Sequence, residues 1–269
     1  MDRRICIPLD GDLDMHYYSS LSGEAGPPYV YPHHIESEIE LFILVEGDVS
    51  FAVESRVYRM SPGDIILTKP NEMHHCIRNS TTVNHHYCFY FKPIPGSIFE
   101  VFLAHSFGCD NLISPSPEDK ALILELAKKI DGSEQRGASD LERLSLVLGL
   151  LSAVGRNMGE TEKYESLPEP IEMMLSEMDE HLSENITIES LCERLFISHS
   201  TLLRLFKKHL GTTPSMYLES KRLAASRRML ARGVSVGETC RAIGFTDVSS
   251  FIRLFKRRFG ETPYKYGQK

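Results

Sequence analysis

Ser200-Thr201-Leu202-Leu203-Arg204-Leu205-Phe206-Lys207 returns 49 residues later as Ser249-Ser250-Phe251-Ile252-Arg253-Leu254-Phe255-Lys256. The residues after each copy repeat as well: Gly211, Thr213, Pro214 and Tyr217 after the first, Gly260, Thr262, Pro263 and Tyr266 after the second. An internal repeat is one supersecondary unit used twice. Each copy is a short basic helix with another short helix in front of it, the pattern of a helix-turn-helix. Two such units in residues 171–269 predict an all-α domain that reads double-stranded DNA.

Working outward, the helix boundaries are written in the capping residues. Thr187 caps a helix running to about Phe196, and Ser198 caps the next, which Gly211 stops. Pro214 opens a long helix at the position where its missing N–H costs nothing, and Arg232-Gly233 ends it. Ser235 with Glu238 three residues on is a capping-box start. Gly244-Phe245-Thr246 is the turn, Asp247 caps the second basic helix, Gly260 ends it, and Thr262-Pro263 starts a final short turn.

Spacing divides the roles within each basic helix. Leu202, Leu205, Phe206 and Leu210, like Phe251, Leu254, Phe255 and Phe259, form an apolar stripe for packing. The opposite face offers Ser200, Thr201, Leu203, Arg204 and Lys208 in the first copy, and Val248, Ser249, Ile252, Arg253 and Arg257 in the second. Arg204 and Arg253 are placed to reach guanine edges in the major groove. Lys207, Lys208, Lys256, Arg257 and Arg258 suit phosphates, which give affinity and salt dependence but no sequence information. Leu203 and Ile252 are expected on the exposed face, where they suit thymine methyl groups, with a packing role as the alternative.

The net charge of −7 argues against nucleic acid only while it is averaged. From Ser198 onward there are 15 Lys/Arg against 4 Asp/Glu; before it there are 15 against 33. Such asymmetry marks a nucleic-acid surface at one end.

Residues 1–95 read as short strands: 40–45, 50–54, 57–60, 65–68 and 85–91, separated by Glu46-Gly47-Asp48, Ser61-Pro62-Gly63-Asp64 and Lys69-Pro70-Asn71-Glu72. Many short strands with Gly/Pro turns indicate a sandwich or barrel. Residues 96–158 change period to a helical hairpin, with Ala121, Leu124 and Ala127 or Lys128 on one helix and Leu141, Leu144, Leu148 and Leu151 on the other. Ser139 or Asp140 would cap the second helix. The hairpin either covers the sheet or also forms a homodimer interface. Residues 159–170, polar and proline-bounded, read as the linker between the domains. No apolar signal core or run of ~18 apolar residues is visible, and the six scattered cysteines suit buried thiols, so a cytoplasmic protein without membrane contact is expected.

The last ~100 residues resemble the DNA-binding domain of the AraC/XylS family of bacterial transcription regulators. Gly244-Phe245-Thr246-Asp247, Ser249, Phe251, Arg253, Phe255-Lys256, Gly260 and Pro263-Tyr264 carry the resemblance, with Tyr217, Arg222-Leu223 and Leu230 matching the linker helix. It implies two recognition helices set in successive major grooves. Departures are small: Cys192, Cys240 and Ser226 stand where alanine is usual, and the turn Phe196-Ile197-Ser198 is one residue shorter than its counterpart. The N-terminal segment resembles the cupin-like sensor domain common in that family, through His34, Glu40 seven residues before Gly47, Pro62-Gly63-Asp64, and His74. Glu36 stands where metal-binding cupins carry a second histidine. His34, Glu36, Glu40 and His74 are the effector-binding candidates; they are chemically competent for a divalent metal, but the resemblance implies an organic effector, such as a sugar, with no cofactor. Two alternatives stay open: a metal-dependent cupin enzyme with an accessory DNA-binding domain, and an effector-independent regulator whose barrel only dimerises.

Overall fold

The computed structural model describes residues 5–9, 13–22, 34–36, 38–92, 98–104, 106–159 and 166–268. Contacts divide the chain into two compact units, one of residues 1–31 and 36–165, the other of 32–35 and 166–269. The middle of the expected linker, residues 160–165, lies outside the described residues.

The first unit contains β1 (Ile5–Leu9), β2 (Leu13–Ser22), β3 (Ile39–Glu46), β4 (Val49–Val53), β5 (Arg56–Arg59), β6 (Ile65–Thr68), β7 (His74–Arg78), β8 (Asn84–Phe91) and β9 (Leu112–Ile113). A 3-10 turn (Ile98–Leu103) and helices α1 (Pro117–Asp131) and α2 (Asp140–Gly155) complete it. The strands form two antiparallel sheets, ordered β1-β2-β8-β3-β6-β9 and β5-β4-β7. Both faces of the larger sheet are covered, so its central strands β8 and β3 bury apolar side chains on both faces, with Glu40, Asn84 and His86 as buried polar exceptions.

The period of two then sorts the side chains. Ile39, Leu41 and Ile43, with Ile65, Leu67, Tyr87, Phe89 and Phe91, pack against the helical hairpin. Phe42, Leu44, Ile66, Cys88 and Tyr90 share a second core with Phe51, Val53, Tyr58 and Cys76 of the smaller sheet. Glu40, one residue from Ile39 and from Leu41, belongs by alternation to this interior between the sheets.

The hairpin buries only part of the expected stripes: Ala127 and Leu151 are buried, and the rest of each buried side comes from other positions. In α1 the buried residues are Ile123, Ala127 and Ile130; Ala121 and Lys128 are exposed and Leu124 is half-buried. In α2 they are Val147, Leu150, Leu151, Ala153 and Val154, while Leu141 is 76% and Leu148 39% exposed. The hairpin is apolar on more than one side, so leucines counted at helical intervals mix the outward Leu141 and Leu148 with the buried Leu151. Ser139, not Asp140, caps α2 by accepting from the Glu142 N–H at 3.2 Å.

The second unit is helical: α3 (Glu169–Glu180), α4 (Ile188–Arg194), α5 (His199–His209), α6 (Pro214–Ala231), α7 (Val236–Ala242), α8 (Val248–Phe259) and α9 (Pro263–Tyr266). Thr187, Ser198, Thr213, Ser235, Asp247 and Thr262 each cap the helix that comes next by accepting a backbone N–H from its first turn. Gly211 (φ 64°) and Gly260 (φ 76°) come after α5 and α8 in the left-handed conformation that stops a helix. Leu202, Phe206 and Leu210 are fully buried, and Phe206 meets Tyr217 of α6 edge-on with ring centroids 6.0 Å apart. Phe251 and Phe255 do the same work for α8, in a core with Leu223, Leu230, Cys240 and Ile243. Cys76, Cys88, Cys192 and Cys240 are buried free thiols, and burial pushes the Cys76 thiol up to about 12.

Candidate functional site

The two helix-turn-helix units, α4–α5 and α7–α8, have the same local geometry. Glu193 and Arg241 carbonyls accept from Phe196 and Gly244, and the Cys192 and Cys240 carbonyls accept from Ile197 and Phe245, both at 3.0 Å. Phe196 (φ 54°) and Gly244 (φ 76°) therefore occupy equivalent left-handed positions.

On α5, Ser200, Arg204, Lys207 and Lys208 are exposed; on α8, so are Val248, Ser249, Arg253, Lys256 and Arg257. Thr201 is half-buried, its hydroxyl accepting from Ser198 Oγ at 2.7 Å. Leu203 and Ile252 are half-buried rather than exposed, because each sits at the edge of the packing stripe. Arg253 donates to Ser250 Oγ at 3.0 Å, and Arg257 makes a long 3.5 Å pair with Glu219 across exposed surface, so both guanidinium groups are held near the helix yet available. The exposed face thus carries an arginine at the same repeat position of each helix, flanked by hydroxyls toward the capped N-terminus and cations toward the C-terminus. That arrangement suits base edges at one end and phosphates at the other.

A buried arginine of α6 ties the two units together. Arg222 donates to the backbone carbonyls of Glu184 (2.7 Å) and Leu182 (3.4 Å) ahead of the first unit and stacks over the Phe245 ring of the second. Burial lowers its pKa from the ordinary arginine value. Arg227 plays a similar part at the far end of α6, bonding Tyr266 Oη at 3.1 Å and lying over the Phe259 ring. These cations fix the spacing of the helices; nothing in the basic composition separated them from those that face outward.

In the first unit, Glu40 and His74 come together across the two sheets. His74 Nε2 lies 2.7 Å from Glu40 Oε2, and both side chains are buried. Tyr90, opposite Glu40 in the β3–β8 register, donates its hydroxyl to Glu40 Oε1 at 2.9 Å. The other ring nitrogen of His74 donates to the Glu72 carbonyl at 2.9 Å. Burial alone would strip the His74 proton, but the Glu40 carboxylate overrides it and holds the imidazole pKa above its ordinary value. Nδ1 thus faces a carbonyl oxygen and Nε2 a carboxylate oxygen. Glu36 is half-buried and its charge adds to the same rise. His34 is half-buried too, in the segment 32–35 that groups with the second unit. Phe51 stacks with His74 at 6.0 Å between centroids, and His86 with Phe42 at 4.5 Å. The centre therefore brings an imidazole, a carboxyl group and a phenol together among aromatic rings. These groups present hydrogen-bond partners to a hydroxylated ligand, and Glu40 and His74 also carry donor atoms that a divalent metal takes. Sequence reasoning passed over Tyr90 and Glu72; the alternation of His86, Cys88 and Tyr90 toward one face was the signal that could have found Tyr90.

Comparison with known proteins agrees with both halves. A family profile described as "AraC-like ligand binding domain" matches residues 17–151, and one described as "Helix-turn-helix domain" matches residues 191–269. The chain is 28% identical over 246 residues to the HTH-type transcriptional regulator YbfI of Bacillus subtilis, covering 88% of this chain and 87% of that one. It is 22% identical over 231 residues to the lactose operon transcription activator of Staphylococcus xylosus, covering 83% and 82%. Over 130 residues it is 31% identical to the transcriptional activator RhaS of Pectobacterium carotovorum, covering 48% of this chain and 45% of that one. With a ligand-binding profile over half its length and a helix-turn-helix profile over its C-terminal end, the chain belongs to the AraC family of DNA-binding transcription regulators.

Proposed function

We propose that α5 and α8 read DNA bases through Arg204 and Arg253, and that a small hydroxylated effector, a sugar or related metabolite, binds at the Glu40–His74–Tyr90 centre. Lys207, Lys208, Lys256 and Arg257 hold the phosphates, with Ser200, Thr201, Leu203, Val248, Ser249 and Ile252 at the groove. A homodimer forms through the exposed leucines of the hairpin, in the cytoplasm where the DNA is. The first unit acts by binding, not by turning over a substrate; metal analysis of the purified protein probes the competing enzyme reading, which needs a stoichiometric metal. The observation that carries this reading is the recurrence of an exposed arginine at the same position of two capped helices.

Alanine scanning of DNA binding tests it. Arg204→Ala and Arg253→Ala each lose about 1–3 kcal/mol at a site selected from random duplexes, and each relaxes preference at a different part of that site. Unchanged ratios of cognate to scrambled binding in both variants would remove the assignment.

A further inference from the structure

The Glu40–His74 centre is joined to the segment that leads into the helical hairpin by a residue outside the centre. Glu72 is completely buried in the turn between β6 and β7. Its carbonyl accepts from His74 Nδ1 at 2.9 Å. Its carboxylate points the other way, into the segment 106–111. Oε1 accepts from the Gly108 N–H at 2.6 Å, and Oε2 accepts from Asn111 Nδ2 at 2.9 Å and from the Lys69 N–H at 2.8 Å. Burial raises the carboxyl pKa and the three donors oppose that rise.

The segment that Glu72 grips is a strap across the sheets. Arg56 of β5 donates to the Gly108 carbonyl at 3.0 Å, and Asn111 exchanges bonds with Leu67 of β6, its side chain donating to the Leu67 carbonyl at 2.9 Å. Gly108 has φ 67°, and a β-carbon there would lie 3.0 Å from Glu54 Cβ, so the strap passes close over the β4–β5 turn. From Asn111 the chain runs directly into β9, which pairs with β6, and then into α1 at Pro117. The turn carrying Glu72 is itself pinned, since Met73 N–H donates to Glu54 Oε1 at 2.7 Å. Little slack exists between the His74 ring and the strap.

We propose that Glu72 is the coupling residue of the sensor, holding the His74 ring through its carbonyl and the strap ahead of α1 through its carboxylate. An effector that takes Glu40 away from His74 lets the ring move, and the peptide at 72 moves with it. The grip on Gly108 and Asn111 then differs between the empty and occupied centre, which is the differential interaction a ligand needs to shift an equilibrium. This inference rests on the reading of Glu40–His74 as the effector centre.

Amide hydrogen exchange of the full chain tests the coupling without knowing the effector. Glu40→Gln stands in for a ligand by discharging the carboxylate beside His74, and Glu72→Gln places an amide where three donors converge. Both variants should raise exchange in peptides spanning 106–113 by roughly tenfold or more, the scale of one lost charge-assisted hydrogen bond. The double variant should exchange there no faster than Glu72→Gln alone, because the two act through one link. Peptides from the core of α2 should stay as slow as in the wild type. An unaltered strap in Glu40→Gln, additive effects in the double variant, or equal acceleration throughout the unit would overturn the proposal. Should Glu72→Gln fail to fold, Asn111→Ser removes one bond of the grip and carries the same expectations. A thermal-shift screen against sugars and sugar acids tests the effector reading separately: a silent screen leaves the exchange result standing, and an unaltered strap leaves a positive screen standing.

Discussion

Replacing Gly244 by alanine should destabilise the C-terminal unit by about 2.5–5 kcal/mol, a figure with two sources. An alanine in the left-handed region costs about 1–2 kcal/mol. The second part is local: a β-carbon at this position would lie 2.4 Å from the Glu184 carbonyl oxygen, 3.0 Å from that of Leu182 and 2.8 Å from Arg222 Nη2. Those oxygens are backbone and cannot rotate away, and they are the acceptors of the Arg222 guanidinium. Relieving the clash means backing the 182–184 segment off, which weakens a buried bond to a charged donor worth about 1.5–3 kcal/mol.

Phe196 is the control built into the same molecule. It has the same left-handed conformation at the equivalent position, but it is 95% exposed. Phe196→Gly recovers about 1–2 kcal/mol of backbone strain and gives up about 0.4–1 kcal/mol to the greater freedom of the unfolded chain. The net is neutral to about 1.5 kcal/mol stabilising. Thermal unfolding of the full chain by far-UV circular dichroism should therefore show Gly244→Ala lowered by roughly 10 °C or more and Phe196→Gly level or raised. Hydrogen exchange in α7 and α8 would assign the loss. If Gly244→Ala melted within about 2 °C of the wild type, the close approach and the role given to Arg222 would both be wrong. If Phe196→Gly were strongly destabilised, the phenylalanine ring would have a partner its exposure does not reveal.

Two further outcomes are expected. Leu148→Glu puts a charge on the outward side of α2, where Leu141 is also exposed; the wild type should sediment as a dimer at micromolar concentration and the variant as a monomer that binds paired DNA sites more weakly and single sites normally, whereas a monomeric wild type on and off DNA would remove the interface. The segment from about Pro168 onward should fold and bind DNA by itself, because its helices carry their own caps and cores, with affinity falling steeply as salt rises; weak salt dependence would count against phosphate contacts by the α5 and α8 cations.

The C-terminal unit was readable from the sequence because what fixes it is local. A threonine, serine or aspartate at the head of a helix makes its bond within one turn, and the repeat supplied the boundaries of the basic helix twice. The failures there are also local in kind: Leu203 and Ile252 sit at the margin of a stripe, where spacing does not say how far a neighbouring helix reaches. The basic residues were harder, since Arg222 and Arg227 of α6 look in sequence like Arg204 and Arg253, and only packing shows that the first pair is turned inward.

The sheet unit was legible only in outline, because its site is made by register. Glu40 and Tyr90 face each other over fifty residues of chain, and no local spacing contains that pairing. β7, beginning His74-His75-Cys76, does not look like a strand core, yet all three side chains are buried and His74 is the one that reaches Glu40. Glu72 read as part of a Lys-Pro-Asn-Glu breaker, which it is; the same carboxylate that closes the turn on Lys69 also receives Gly108 and Asn111. A residue that ends a strand is on the surface by default, and the segment laid over Glu72 supplies the donors that its buried carboxyl group needs. The hairpin misled for the opposite reason. Apolar residues lie on two sides of α2, one against the sheet and one exposed, and the leucines at helical spacing are divided between them, Leu151 buried and Leu141 and Leu148 exposed. What a helix hides and what it offers to a partner are the same chemistry, so the division between Val147, Leu150 and Val154 on one side and Leu141 and Leu148 on the other had to come from the fold.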